Sequence, residues 1–519
     1  MEIALVLFLS GYFRFSLIPD WPLSPDDEEV YEAIEDSLAG SGALKEPASP
    51  SYRLRWRVQS DSPGGGLLQT GSFLYFLISQ RNRSAGLILE KDPGENNCAD
   101  FWGGGVSFWR RNWRFTAGDY LLHFGRGLIF AAPYARSGFT ELEYSLAGSV
   151  FPRSALENRN LRGVRFDYIK NRYAVNLIGS YSMRDAWLNA DGTVARLNFS
   201  GLHRDSAERS AKGRVSQLLG GAVLRVQLIP VCQAGMAVCA VRYNPGFAPV
   251  ESVYSFYGDN LGQAGIYLVI GSETRRGEIE FARSFPGGMA GSIRVDVREE
   301  GFNFLLAGSV FGNRFFAPAG RQYGMSSRIS RTDVSANAGY RLRRFWIRLR
   351  GNTHYDYRID SIPGRAVLSA SYEAPPLVIS IATGKIFRYE KERLRTTRVE
   401  LVFNRRLWQL LLTSGDEYFE SGKARGRFVG TNLRFKMNSW ELGFSGAVSD
   451  ITGSGISLSV VEPGAMRQGA SYSFRKSGQR LSVAASLKVA KFNRLGIKAG
   501  MTRIQVWEPD LSAQIELTN

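Results

Sequence analysis

From residue 51 to the end of the chain, apolar residues recur at every second position. Tyr52, Leu54, Trp56 and Val58 alternate with Arg53, Arg55, Arg57 and Gln59; Leu481, Val483, Ala485, Leu487 and Val489 repeat the rhythm near the other end. A helix would scatter residues spaced by two around its circumference, whereas a strand puts them on one face. The same alternation sets Val399, Leu401 and Phe403 against Arg398 and Glu400, and Leu433, Phe435 and Met437 against Arg434 and Lys436. Trp440, Leu442 and Phe444 follow a short turn at Asn438-Ser439, and Leu495, Ile497, Ala499 and Met501 form a later run. Turn chemistry separates the runs at Asp92-Pro93-Gly94-Glu95, Pro286-Gly287-Gly288 and Glu462-Pro463-Gly464. Runs joined this tightly are antiparallel neighbours, so the chain is predicted to be all-β, a meander of about 22–28 strands.

An open sheet that long would expose two edges, and closure into a barrel removes them. One face of each run carries Leu, Val, Phe, Trp, Tyr, Ile and Ala. The other carries Arg, Lys, Glu, Asp, Ser, Asn and Gly. Many runs extend about nine to eleven residues, the length of a tilted strand that crosses a bilayer. Trp and Tyr gather near run ends, where interfacial girdles sit. An Arg facing lipid at mid-bilayer costs about 2–4 kcal/mol. The guanidinium groups are therefore expected to face a wet interior, and the expected fold is a large antiparallel transmembrane β-barrel of the Gram-negative outer membrane.

Composition excludes the competing classes. The 519 residues carry 65 Lys and Arg against 48 Asp and Glu, a formal charge of +17. With 44% hydrophobic and 12% aromatic residues the chain is no disordered segment. No apolar run is long enough for a helical span. Cys98, Cys232 and Cys239 form no CxxC, and His occurs only at His123, His203 and His354, so no cofactor or metal site is expected. There is no GxSxG elbow and no P-loop, and no enzymatic activity is expected.

The chain divides into three parts. Residues 1–20 include the apolar stretch 3–9 and read as a partial export signal without a basic leader. Residues 21–50 read as an acidic helix and linker: Ser24 can cap, Pro25 suits the first turn, Asp26 to Glu29 suit the positive helix end, and Val30, Tyr31, Ile34 and Leu38 make a narrow stripe. Residues 51–519 form the barrel, expected to be truncated at the C-terminus because the end lacks a terminal aromatic strand residue. Residues 205–214 read as a short helix or a long loop.

The densest constellation of polar residues comprises Asp92, Glu95, Asp100 and Asp119 with His123 and Arg126. Carboxylates beside a His can do acid–base work or hold a cation. The simpler reading is a turn at 92–95, with the other residues paired along an Arg-rich wall. Gly125 and Gly127 around Arg126 mark a place where backbone packs tightly, suited to a constriction or an inward-folded segment.

This stretch, residues 87–138, resembles Gram-negative barrel proteins described as helix-hairpin-helix domain-containing. The matching pieces are Lys91 to Glu95 with Gly94, Asp100-Phe101, Gly118-Asp119-Tyr120, and Phe124-Gly125-Arg126-Gly127-Leu128, where Arg126 stands in place of a usual Gln. Further pieces are Leu161-Arg162-Gly163, Gly201-Leu202-His203-Arg204 with Glu208, Gly277-Glu278, and residues 503–508. The resemblance implies an exported outer-membrane barrel. The helix-hairpin-helix unit itself is missing, so a nucleic-acid partner is not expected. The expected function is a channel or transport component with an Arg-rich interior that favours anionic solutes, surrounded by outer-membrane lipid and meeting a periplasmic or outer-membrane protein partner. The alternative is a non-conducting scaffold or receptor linked to DNA handling through its family.

Overall fold

The computed structural model describes residues 51–60, 70–80, 82–92, 95, 99, 101–131, 151, 160–198, 201, 203, 205–249, 256–272, 274–312, 314–320, 331–356, 364–387, 393–405, 407–437, 439–454, 458–463, 469–474, 476–488, 494–503 and 507–518. The export signal and acidic helix expected within residues 1–50 lie outside the described residues, as do Gly94 and Asp100.

The first part of the wall is β1 (Ser51–Ser60), β2 (Thr70–Gln80), β3 (Arg83–Lys91), β4 (Phe101–Arg110), β5 (Trp113–Tyr120), β6 (Leu161–Lys170) and β7 (Tyr173–Arg184). Two short strands, β8 (Ala186–Leu188) and β9 (Val194–Leu197), and the helix α1 (Ser206–Ala211) follow before the wall resumes. Its middle is β10 (Val215–Ile229), β11 (Cys232–Phe247), β12 (Gly258–Gly271), β13 (Arg275–Phe285), β14 (Met289–Glu299), β15 (Phe302–Phe311), β16 (Arg331–Leu342) and β17 (Phe345–Asp356). Next come β18 (Gly364–Ala374), β19 (Leu377–Phe387), β20 (Arg393–Asn404), β21 (Trp408–Phe419), β22 (Arg425–Lys436) and β23 (Trp440–Thr452). A separate hairpin, β24 (Leu458–Pro463) with β25 (Gly469–Phe474), precedes the last wall strands β26 (Gly478–Lys488), β27 (Arg494–Arg503) and β28 (Trp507–Thr518).

Each wall strand pairs antiparallel with its neighbour, and β28 returns to β1 over Arg53↔Thr518 through Ser60↔Leu511. The main sheet has 26 strands. Of these, β8 and β9 pair with each other and touch the wall only where Val194 meets Phe247, which leaves a closed ring of 24. Closure satisfies both edges of the sheet, as the strand count and alternation predict.

The burial pattern runs opposite to that of a soluble core. On β6, Val164, Phe166 and Tyr168 are 48%, 38% and 36% exposed, while Arg165 and Asp167 between them are 6% and 1% exposed. Val399, Val429, Leu481 and Ile497 likewise face outward. An apolar outer face on a closed ring suits hydrocarbon. Among the described residues no helix is long and apolar enough to cross a membrane. The protein is an outer-membrane β-barrel.

The two ends differ. At one end, β4–β5, β6–β7, β10–β11, β14–β15, β16–β17 and β18–β19 are each joined across two residues. Arg111, Asn171 and Arg343 open three of these turns at φ of 50°, 52° and 53°, the left-handed start that matches twisted hairpin strands. At the other end, residues 121–160, 185–214, 312–330 and 453–477 connect the strands. Short turns on the periplasmic side and long loops outside are the habit of outer-membrane barrels, so the long-loop end is extracellular. Residues 205–214 contain α1, capped by Asp205, whose carboxylate accepts the Glu208 N–H at 2.7 Å.

Candidate functional site: an inward-folded segment and its anchors

The connection after β5 does not stay at the rim. Residues 121–131 turn inward, and Phe124, Leu128, Ile129 and Phe130 are completely buried although none belongs to the wall. Burying side chains of this size contributes about 1.5–3 kcal/mol each.

Wall side chains from three strands hold the segment by its backbone, and a fourth strand meets one of its rings. The Arg165 guanidinium on β6 donates to the Leu121 carbonyl, and Arg225 on β10 donates to that of His123. The Glu280 carboxylate on β13, fully buried, accepts the N–H groups of Arg126 and Leu128, the latter at 3.2 Å. Arg126 reaches Glu278 at 3.2 Å, and Tyr267 on β12 meets the Phe124 ring edge-on at 5.1 Å. Because the anchors lie on β6, β10, β12 and β13, the segment crosses the inner face of the wall well beyond its own neighbours.

The turn itself is tight. Gly127 N–H donates to Phe124 C=O at 2.9 Å, and Phe124 N–H to Phe130 C=O at 3.0 Å. Gly125 and Gly127 sit at φ +53° and +83°, and a Cβ on Gly125 would stand 2.8 Å from Glu280 Oε2. Both positions need glycine for conformation and for space, since a Cβ on Gly127 would stand 2.9 Å from the Ala131 Cβ. His123 Nε2 lies 2.9 Å from Gly125 O, inside the same turn.

Other long loops complete the plug. Ala131 N–H donates to Ala319 C=O at 2.8 Å. Phe315, Phe316 and Ala317 are buried beside it, and Gln263 on β12 holds Phe316 C=O at 2.7 Å. Phe316 stacks on Phe256 at 5.3 Å, which meets Phe247. Val194 and Leu197 on β9 join the same apolar cluster.

The remaining residues singled out from sequence fall into two further contacts. Asp119 is 1% exposed. It accepts Arg162 Nε at 2.7 Å and the Gly104 N–H at 2.7 Å. Pairing between β4 and β5 stops at Gly105↔Gly118, and this carboxylate with Arg162, which also donates to Trp102 C=O, bridges the strands past that point. Tyr120 closes β5 with its hydroxyl on Gly179 C=O at 3.1 Å. Glu95 caps the Asp92 N–H at 3.2 Å and accepts the His203 N–H at 2.8 Å, while His203 Nε2 lies 2.8 Å from Asp185. The fold therefore brings Glu95 to His203, Asp119 to Arg162 and Arg126 to Glu278, and it does not gather Asp92, Glu95 and Asp119 into one acidic site. Among the described residues no group of His, Cys, Asp and Glu is placed to hold a metal ion.

Sequence reasoning passed over Glu280, Arg225 and Tyr267. The signal for one was present: Glu278 and Glu280 are two acids at strand spacing, hence on one face. It also placed the charge inside the barrel or in its loops, with Arg residues paired to acids along an Arg-rich wall. On this half of the wall several inward cations have acids on the same wall. Asp167 takes Arg114 and Arg165, both at 2.7 Å; Glu278 takes Arg276 at 2.8 Å, and Asp296 takes Arg294 and Arg298 at 2.9 and 2.8 Å. Burying a cation is costly unless it is paired, and here each of these three carboxylates serves two guanidinium groups. Some guanidinium groups, including those of Arg425 and Arg427, face outward at the extracellular end.

No family model matches the chain, and no curated protein matches it. Among solved structures it is similar to the translocation pore of the P pilus usher PapC, with 8% identity and a TM-score of 0.41 over 91% of this chain and 99% of that one. It is also similar to the ferric enterobactin receptor PfeA of Pseudomonas aeruginosa, with 8% identity and a TM-score of 0.44 over 91% and 81%. The siderophore receptor PirA of Acinetobacter baumannii gives 8% and 0.43 over 92% and 81%.

Proposed function

We propose that the protein is a transport barrel whose passage follows the inner face of β15–β18 and favours anionic, hydroxyl-bearing solutes, while the inward-folded segment closes the opposite side. One observation carries this reading. Register places Asn303, Arg348 and Ser369 in one inward row, with Asn337 and Arg350 in the next and Ser335, Asn352 and Arg365 beyond. These rows hold three cations, amides and hydroxyls, with one carboxylate, Asp333, at the next inward position of β16, and among the described residues no buried apolar cluster forms on β16–β18. Arg presents paired donors that suit carboxylate or phosphate, and amides suit hydroxyls.

Membership in the helix-hairpin-helix-containing group of barrels is part of the same proposal. Its support is that the separate motif pieces meet in pairs, Glu95 with His203, Asp119 with Arg162 and Arg126 with Glu278.

The test is conductance of the purified full chain in planar bilayers, with a variant in which residues 121–131 are replaced by a short Gly-Ser linker. The variant is expected to conduct more than the parent and to pass chloride in preference to potassium. Equal silence from both would favour the non-conducting scaffold or receptor, built around a periplasmic or outer-membrane protein partner. Cation preference would remove the anionic solutes.

A further inference from the structure

The outer face carries a second feature, independent of transport. At the extracellular end of β19–β23 the register aligns Lys385, Arg395, Tyr418 and Arg425 in one row across four strands. The next row toward the membrane centre is Thr397, Asp416, Arg427 and Asp450. The row after that is Ile381, Val399, Ser414, Val429 and Val448, of which Ile381, Val399, Val429 and Val448 are exposed apolar residues. Strand alternation puts all three rows on the lipid-facing side. The charged rows thus sit directly above the apolar band.

This arrangement is local. At the same end, β7, β10, β14 and β15 present the apolar residues Tyr181, Met183, Leu218, Met289 and Val310 outward. At this end Arg162, Arg242 and Arg283 have no second Arg at the next outward position of their strands, whereas β22 offers Arg425 and Arg427 on successive outward positions.

Internal pairing leaves donors over. Glu420 bridges Lys385 at 2.6 Å and Arg395 at 2.8 Å, and Asp416 bridges Arg425 at 2.8 Å and Arg427 at 3.7 Å. Each carboxylate is shared by two cations. The side chains of Arg395, Arg425 and Arg427 remain 54%, 49% and 61% exposed. The Arg425 guanidinium lies over the Tyr418 ring at 6.0 Å, a pairing that holds a cation at an interface. Guanidinium groups at this depth meet lipid head groups, and their natural complement is phosphate.

We propose that the outward face of β19–β23 is a binding site for phosphate-bearing lipid head groups of the extracellular leaflet, with Arg395, Arg425 and Arg427 as the phosphate donors. The same chemistry would accept a soluble phosphate, and the lipid is preferred because the apolar row of Val399, Val429 and Val448 lies directly below to receive its acyl chains.

The experiment is native mass spectrometry of the full-length barrel after exchange from nanodiscs of phosphatidylcholine doped with a bisphosphorylated glucosamine lipid, or with the same lipid after phosphatase treatment. The parent protein is expected to retain the phosphorylated form and to release the dephosphorylated one. R425Q/R427Q is expected to bind it roughly twenty-five-fold more weakly, since each Arg near an anionic surface contributes about five-fold. A heat-modifiable gel shift shows that the variant still forms the barrel, and R242Q, on the single outward Arg of β11, serves as the matched control. Equal retention of both lipids, an unchanged R425Q/R427Q, or displacement of the lipid by millimolar inorganic phosphate would each overturn the proposal.

Discussion

The β6–β13 side of the wall and the β16–β18 side are made from the same antiparallel ladder, yet their inner faces do opposite things. On the first, Arg165, Arg225 and Glu280 are turned onto the backbone of the inward segment, and large apolar side chains fill the space between. On the second, Arg348, Arg350, Asn337 and Ser369 line the wall, and among the described residues no apolar cluster lies against them. A barrel wall alone does not decide whether its interior is a path or a plug. That depends on whether the loops above it carry residues that can be buried against what the wall offers.

The largest expected effect follows from removing the anchor that the segment uses twice. Glu280→Ala leaves the N–H groups of Arg126 and Leu128 buried without an acceptor, at a cost of about 1–3 kcal/mol, which multiplies the released population by roughly 5–150. Single-channel recording should show longer or more frequent openings; an unchanged record would mean the segment does not close the passage. Arg225→Ala removes one charge-assisted bond to His123 C=O and is expected to act in the same direction, less strongly than Glu280→Ala.

Gly125→Ala attacks the turn from the segment's own side. Left-handed backbone costs a residue with a Cβ about 1–2 kcal/mol, before the contact with Glu280 is relieved. Cysteine labelling of a lumen position beneath the segment should speed up in this variant if the turn holds the segment in place. On the other side of the barrel, Arg348→Gln with Arg350→Gln should bring the anion-to-cation permeability ratio toward one without changing opening frequency. An altered frequency instead would erase the distinction between the two sides.

The smallest expected effect concerns acid. Hydrogen bonds from Lys385 and then Arg395 hold the Glu420 carboxyl, in the loop beyond β21, down to about 2. A depressed carboxyl stabilises its contacts above the ordinary carboxylate range and loses that contribution as pH falls through about 2. Glu420 should therefore still read as ionised at pH 3 in a carboxylate-resolved NMR titration, and Lys385→Ala should raise its midpoint.

Much of the architecture was legible before any coordinates. Two-residue alternation assigns each side chain of β1, β20, β22 and β26 to a face, and the faces come out as the alternation predicts, with Tyr52 and Trp56 exposed and Arg398 and Glu400 buried. The pairing of Arg126 with Glu278 was not legible. The two residues are 152 positions apart, and neither one's neighbours encode the other.

Local periodicity is a property of a few adjacent residues, so the amino-acid order by itself determined strands, their apolar faces, and thus a membrane barrel. Which loops fold inward, which buried carboxylate meets which backbone N–H, and which cations stay indoors depend on contacts between strands distant in the chain. Those contacts exist only once the ring closes and fixes every register at once, so only the tertiary structure decided that one side is filled and the other lined with polar groups.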